Sequence, residues 1–227
     1  MSDPTLKEFT YNTAEPPTII QKKYDPLPLY NDKNPMLSQH QEPMDLSRLP
    51  ADLIETCNRL LATMNHYGGV GLAAPQCGLP WRLFVAAGGM VCINPKIITA
   101  SIETTREKEG CLSFPGLYLP ITRSRTIEVE YHNEFGVLKH ETFTGATAKI
   151  FQHETDHLNG IVFTSLVGNL TLQMAKKKKQ KMFKRMERIV EIKEMQRKMT
   201  TLLSKNTGTK AVPVSPRAVE VQSNRVK

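Results

Sequence analysis

Hydrophobic residues follow a helical spacing in the stretch after Pro50. They recur every three or four positions until the adjacent glycines Gly68 and Gly69, at Leu53, Ile54, Cys57, Leu60, Leu61 and Met64. This spacing predicts an amphipathic helix that ends at the two glycines. It also predicts that Cys57 is a core residue, the usual place for a lone cysteine on an apolar face.

The segment from Trp81 to Thr144 favours strands instead. Apolar and β-branched runs cover residues 83–86, 91–93 and 98–105, and residues 126–131 alternate between apolar and polar. Residues 133–136 predict a hairpin turn before a further strand at 137–143. Because a hairpin joins antiparallel strands, we predict an α+β fold with antiparallel β-sheets.

A second helix is expected at residues 145–158, ending before Gly160. Ala146, Ile150, His153 and His157 are separated by four, three and four residues, so they share one face of this helix. We expect that face to point inward, with the sheets packed around the helix as the central element of the fold.

The two ends of the chain differ from this middle part. Residues 1–23 are rich in proline and polar residues and are expected to be flexible. Residues 24–30 mix prolines with apolar side chains and are either an irregular strand against the core or a linker. We predict one domain at residues 24–170, a basic C-terminal helix at 171–203, and a disordered tail at 204–227.

Composition narrows the class of protein. A chain of 227 residues that is 40% hydrophobic can bury one good core. It has no run of 18 apolar residues and no basic start followed by an apolar block, so neither a membrane span nor a secretion signal is expected. Four cysteines in such a chain are expected to be free thiols, and we predict a cytoplasmic location.

The string His153-Glu154-Thr155-Asp156-His157 carries the clearest chemistry. Two histidines four residues apart on a helix can bind one metal ion, and the glutamate between them can act as a base beside a metal-bound water. The alternative is a helix that merely displays surface histidines. The inward face predicted above counts against it, because buried imidazoles without partners are costly.

A catalytic metal of this kind usually has three protein ligands and one open position. Residues 158–175 contain neither histidine nor glutamate, so a third ligand is expected elsewhere. Cys111, in Glu109-Gly110-Cys111-Leu112-Ser113, is the better candidate, and a thiolate with two imidazoles suits Fe(II), Zn(II), Co(II) or Ni(II). A buried structural cysteine is the alternative for this residue.

Three strings in this order resemble the peptide deformylase family. Residues 69–76 (GVGLAAPQ) are similar to the family's motif G-x-G-L-A-A-x-Q, residues 109–113 (EGCLS) to its second motif, and residues 152–157 (QHETDH) to its third, Q-H-E-x-D-H. A lone H-E-x-x-H string would be weak evidence, whereas three ordered motifs are specific. The resemblance implies a metal-dependent enzyme that removes the formyl group from the N-terminal formyl-methionine of newly synthesised polypeptides.

The resemblance also implies roles for individual residues. One divalent ion, natively Fe(II) with Zn(II), Ni(II) or Co(II) as alternatives, would be held by Cys111, His153 and His157. Glu154 would transfer protons, and the Gln76 amide and Leu112 backbone N–H would stabilise the oxyanion. Gly71 and Val70 would contact the extended substrate peptide.

Some positions depart from the family pattern. Tyr118 stands where many members have arginine, so the contacts that this arginine makes to the substrate backbone do not carry over to this chain. Arg123 matches a basic residue that can pair with Glu109. Two other functions remain open at this point. One is a zincin-like peptidase that cleaves internal peptide bonds, and the other is an inactive relative that binds the ribosome or RNA.

The C-terminal segment concentrates positive charge. From Lys176 onward the chain carries the run KKKKQK and further lysines and arginines, which contribute much of the net charge of +8. A charge run of this kind is either a solvated helix face or a surface that binds RNA phosphates. A third alternative is that the helix packs on its own domain or on a partner through its apolar side, formed by Met182, Met186, Ile189, Val190 and Ile192. Some deformylases dock on the ribosome through such a helix, and this tail resembles theirs; we expect no membrane contact and a monomer.

Overall fold

The computed structural model describes residues 24–207. The predicted flexible segment 1–23 and residues 208–227 of the predicted disordered tail lie outside this range. The helices are α1 (Leu53–His66), α2 (Gly145–Leu158) and α3 (Asn169–Thr207). The strands are β1 (Gly71–Ala73), β2 (Leu83–Ala86), β3 (Met90–Ala100), β4 (Thr104–Gly110), β5 (Tyr118–Ser124), β6 (Thr126–His132) and β7 (Leu138–Thr144).

The strands form two antiparallel sheets. The larger sheet has the order β1-β2-β3-β6-β7, and β4 pairs with β5 in a separate two-stranded sheet. The predicted hairpin joins β6 to β7, where the Asn133 side-chain oxygen accepts hydrogen bonds from the backbone N–H groups of Phe135 and Val137. These pairings confirm the predicted α+β fold with antiparallel sheets.

One predicted strand was wrong in its bounds, and one strand was not predicted. The run 98–105 is not one strand, because β3 ends at Ala100 and β4 begins at Thr104 in the other sheet. A turn separates them, in which the Ser101 hydroxyl donates a hydrogen bond to the Glu103 carbonyl at 2.8 Å. β5 was not predicted, because its inward positions include the charged Arg123 and so hide the alternation expected of a strand.

α2 is the central helix, in contact with strands of both sheets. Phe151 packs edge-on against Phe84 of the larger sheet, with ring centroids 5.0 Å apart. The predicted inward face was wrong at Ala146, which is exposed. Because the helix is covered from two sides, its buried residues spread over more than one stripe: Ala148, Phe151, His153, Glu154, Thr155, His157 and Leu158.

The first described residues and α3 both pack on this core. Residues 24–30 form no strand, yet Leu27 and Leu29 lie against the cluster that contains α1 and β2. α3 extends beyond the predicted end at residue 203 to Thr207. Its first turns contribute Leu172 and Ala175 to an apolar cluster with Phe114, Leu117, Leu119, Ile121 and Phe163, and the rest of the helix is largely exposed.

Candidate metal centre

Three potential ligands meet where α2 faces the end of β4. Cys111 follows β4 directly, and His153 and His157 lie one turn apart on α2. Their ligand atoms all lie within 4.8 Å of one another, and the Cys111 sulfur is 3.2 Å from His157 Nε2. The tertiary structure therefore brings together the three residues that the sequence singled out as ligands.

The chemistry of this donor set fits a divalent transition metal. One thiolate and two imidazoles suit Fe(II), Zn(II), Co(II) and Ni(II), and three protein ligands leave a fourth position for water or substrate. Burial lowers the pKa of His157, which keeps that ring in the neutral form that binds metals. Among residues 24–207 no hydrogen bond satisfies His157 Nδ1, so this ring is held by packing and by the contact of its Nε2 atom with the Cys111 sulfur.

A buried ionic network holds His153. Its Nδ1 atom lies 3.1 Å from Glu109 Oε2, an arrangement that leaves Nε2 free for a metal. Arg123 donates two hydrogen bonds to the Glu109 carboxylate, at 2.9 and 3.0 Å, and a third to Asp156 at 2.6 Å. The predicted pairing of Arg123 with Glu109 is thus confirmed, and Asp156 joins it.

This network also sets the charge of Glu109. Burial alone would raise the pKa of its carboxyl group, but the hydrogen bonds from His153 and Arg123 outweigh burial and lower the pKa to about 2. The carboxylate is therefore ionised and in position to accept the His153 N–H.

Glu154 lies beside the ligands and is buried, with 4% of its surface exposed. Burial raises the pKa of its carboxyl group to about 7. Within the described range its Oε2 atom has no hydrogen-bond partner. The carboxylate fits only because residue 71 is glycine, since a Cβ atom at Gly71 would overlap it.

Gln76 is held by both ends of its amide. Its Oε1 atom accepts a hydrogen bond from the Ala73 N–H at 2.9 Å, so its Nε2 atom points toward the ligands. That nitrogen is 3.1 Å from the Ser113 hydroxyl oxygen and 3.4 Å from the Cys111 sulfur. Ser113 was not predicted to take part, although it belongs to the EGCLS string.

These side chains lie along a cleft of about 500 Å³. One wall comes from β1, an edge strand of the larger sheet, and the residues before it, including Gly71 and the 58%-exposed Val70. The other wall comes from the end of β4 and the following loop, including Leu112. Sequence reasoning missed the cleft residues Lys108 and Lys149, which belong to no motif.

Comparison with known proteins agrees with this geometry. A sequence model of the polypeptide deformylase family matches residues 26–173. The peptide deformylase of Thermotoga neapolitana is 43% identical over 132 residues, which cover 57% of this chain and 79% of that protein. The peptide deformylase of Thermotoga maritima is 39% identical over 148 residues, 64% of this chain and 89% of that protein.

Solved structures agree as well. The crystal structure of peptide deformylase from Thermotoga maritima has a TM-score of 0.61 at 38% identity, covering 64% of this chain and 99% of that one. The peptide deformylase of Synechococcus elongatus in complex with actinonin has a TM-score of 0.64 at 34% identity, covering 79% of this chain and 95% of that one. Since the family match spans more than half of the sequence, the chain belongs to the polypeptide deformylase family.

Proposed function

We propose that the protein is a peptide deformylase, which hydrolyses the formyl group from the N-terminal formyl-methionine of newly synthesised polypeptides. The observation that carries this proposal is the cluster of Cys111, His153 and His157 with the buried Glu154 beside it, in a chain of the deformylase family. A purely structural metal site would need neither a buried carboxylate at its edge nor an open cleft in front of it.

Cys111, His153 and His157 would hold one divalent ion, for which we propose Fe(II) as the native metal and Zn(II), Ni(II) or Co(II) as substitutes. Such an ion, when bound, lowers the pKa of a coordinated water from 15.7 to about 7 and polarises a carbonyl oxygen. The Glu109 carboxylate supports this role from the outer side of His153, because a hydrogen bond from Nδ1–H to the carboxylate makes Nε2 a stronger electron-pair donor to a metal.

Glu154 would move the protons of the reaction. A carboxyl group with a pKa of about 7 accepts a proton from the attacking water at neutral pH and releases it readily to the departing amine. The departing group is the amino terminus of the peptide. Glu154 is almost fully buried, which limits the access of solvent water to the proton between the two transfers.

Gln76 and Leu112 would stabilise the negative charge that develops on the formyl oxygen. The hydrogen bond from Ala73 fixes the Gln76 amide so that its NH₂ group faces the ligands before substrate arrives. Leu112 follows Cys111 directly and lines the cleft, so its backbone N–H is the second proposed donor. One donor of this type typically contributes about 2.7–4 kcal/mol of transition-state stabilisation.

The substrate would bind as an extended peptide between the two walls of the cleft. β1 is an edge strand, and its backbone groups at Gly71, with those of the adjacent Val70, are placed to pair with such a peptide. A related structure supports this proposal: the Met-Ala-Ser-bound peptide deformylase of Acinetobacter baumannii has a TM-score of 0.59 at 30% identity.

The test is deformylation of formyl-Met-Ala-Ser by protein loaded with Fe(II), Ni(II) or Zn(II). We expect turnover by the wild type, a loss of at least about 100-fold in kcat for Glu154→Ala, and loss of metal and activity for Cys111→Ser. Undiminished turnover by Glu154→Ala would refute the mechanism. Cleavage of unformylated proteins would favour a zincin-like peptidase, and no turnover by any metal form would favour an inactive RNA-binding relative.

We also propose that α3 attaches the enzyme, as a cytoplasmic monomer, to the ribosome. Separations of four, three and four residues place Lys177, Lys181, Lys184 and Arg188 on one face of the helix, where all four are exposed. Such a row gains affinity for RNA by releasing counterions from phosphates. In the described part of the chain, no helix has the length and hydrophobicity needed to cross a membrane.

Charge substitutions test this partner better than deletion of the helix, because Leu172 and Ala175 pack against a core cluster that Cys111 also contacts. The variant Lys177→Gln/Lys181→Gln/Lys184→Gln should cosediment with ribosomes less well and with a weaker salt dependence, while still deformylating a short peptide. A matched control is Lys33→Gln/Lys96→Gln/Lys139→Gln, which removes the same charge from the catalytic domain. Equal cosedimentation of the two variants would contradict ribosome attachment through α3.

A further inference from the structure

Two lysines line the cleft that the proposed mechanism does not use, and one of them lacks an ionic partner in the described part of the chain. Lys108 of β4 is exposed and lines the cleft. The other cleft-lining lysine, Lys149, forms an ion pair with Glu107, and the carboxylate of Glu109 is paired with Arg123. Among residues 24–207, Lys108 has neither an ion pair nor a hydrogen bond from its side chain.

The position of Lys108 along β4 determines which part of a substrate it faces. Side chains of a strand alternate between its two faces, so Glu109 turns toward His153 while Lys108 shares the opposite face with Gly110. Lys108 lies three residues before the ligand Cys111, a distance of about 10 Å along an extended chain. An extended peptide that runs through the cleft alongside β4, from the ligands toward Lys108, therefore has its third residue level with this lysine.

An aromatic side chain limits the space beside this lysine. The ladder of β4 and β5 pairs Gly110 with Tyr118, and the Tyr118 ring covers the position where a Gly110 side chain would be. Tyr118 is 61% exposed and lines the same cleft. Lys108 and Tyr118 thus form one wall that offers a cation and an aromatic surface, with no carboxylate at its exposed edge among the cleft-lining residues.

We propose that Lys108 makes this enzyme selective for formylated peptides that carry a carboxylate at the third residue. The proposal rests on the deformylase function inferred above. Selectivity arises because the ammonium group attracts the substrate carboxylate equally in the ground state and the transition state, so it acts on KM and leaves kcat unchanged. A free C-terminal carboxylate of a tripeptide would use the same contact.

The experiment compares formyl-Met-Ala-X-Ala-amides in which X is glutamate, glutamine or lysine. The C-terminal amide removes the terminal carboxylate, so that only the side chain of X can supply one. The effect of a terminal carboxylate is measured separately, by comparing formyl-Met-Ala-Ser as the free acid and as the amide. For the wild type, kcat/KM should be about three- to fivefold higher with glutamate than with glutamine, as for an exposed ion pair, and lowest with lysine. The preference should vanish near 1 M salt, where the screening length is about 3 Å.

Variants assign the effect to Lys108. Lys108→Gln should give equal kcat/KM for the glutamate and glutamine peptides, and Lys108→Glu should give the highest kcat/KM for the lysine peptide. The control Lys96→Gln, on the surface of β3, should show the same order as the wild type. Turnover of the glutamine peptide, which lacks the carboxylate, shows whether each variant is folded and active. A wild-type ratio of one, or a glutamate preference that survives in Lys108→Gln, overturns the proposal, whereas failure to deformylate any peptide would instead overturn the function on which it rests.

Discussion

Replacing Arg123 with methionine tests how the buried ionic network stabilises the fold and the metal centre. The Arg123 side chain is 8% exposed and pairs with both Glu109 and Asp156. Arg123→Met keeps most of the length and volume of the stem but removes the charge and three hydrogen bonds, at 2.9, 3.0 and 2.6 Å. It therefore leaves two carboxylates near each other in a largely buried site.

The expected loss of stability is about 3–5 kcal/mol, the range for removing one partner of a buried ion pair. Summing three charged hydrogen bonds at about 1.5–3 kcal/mol each would overestimate it, because the partly exposed Asp156 regains contact with water. The matched control is Arg125→Met. Arg125 pairs with Glu103 at 2.6 Å, but both side chains are more than half exposed, so its loss should change stability by less than about 1 kcal/mol.

Urea denaturation of metal-loaded protein, at one fixed metal concentration, measures both variants. With a slope of about 2 kcal/mol per molar urea, Arg123→Met should lower the midpoint by about 1.5–2.5 M with an unchanged slope. Adding Glu109→Gln should recover part of the loss, because one unpaired carboxylate then disappears. The network does not stabilise the fold in this way if Arg123→Met is no less stable than Arg125→Met, or if the double variant is destabilised by the sum of the two single changes.

Three further substitutions test the proposed catalytic geometry and the packing of α3. Gly71→Ala should lower kcat about 100-fold with metal content unchanged, because its methyl group displaces the Glu154 carboxylate. Gln76→Glu removes a hydrogen-bond donor facing the ligands and should lower kcat by about 10²–10³-fold in a steady-state assay. Phe183→Ala removes a ring that packs on Gly116 at the cleft wall and should cost about 1 kcal/mol in urea denaturation and raise KM.

Each of these changes has a control or a contradicting result. Gly168→Ala adds a methyl group where no atom lies within 4 Å, so it should leave kcat intact. Gln76→Glu would count against the oxyanion role if kcat stayed normal and only metal binding fell. Phe135→Ala, at the 70%-exposed tip of the hairpin, should be neutral in both assays, and an equally neutral Phe183→Ala would show that α3 does not support the cleft.

The sequence alone predicted the features that depend on residues close together along the chain. Histidines four residues apart always share a helix face, so the relation of His153 to His157 follows once residues 145–158 form a helix. The turn at residues 133–136 likewise depends on neighbouring residues, because the Asn133 side chain binds backbone groups only two and four positions later. The role of Cys111 was a choice between ligand and structural cysteine, and the resemblance to the family motifs favoured the ligand.

The tertiary structure decided what depends on contacts between distant segments. Which face of α2 is buried depends on the two sheets that cover it, so Ala146 was placed wrongly by spacing alone. The pKa of Glu154 depends on burial by residues far along the chain. The place of Lys108 in the cleft depends on the chain leaving the larger sheet at the end of β3, so that β4 pairs with β5 instead. The spacing of residues along the sequence does not predict burial or pKa values, because both depend on contacts between segments that only folding brings together.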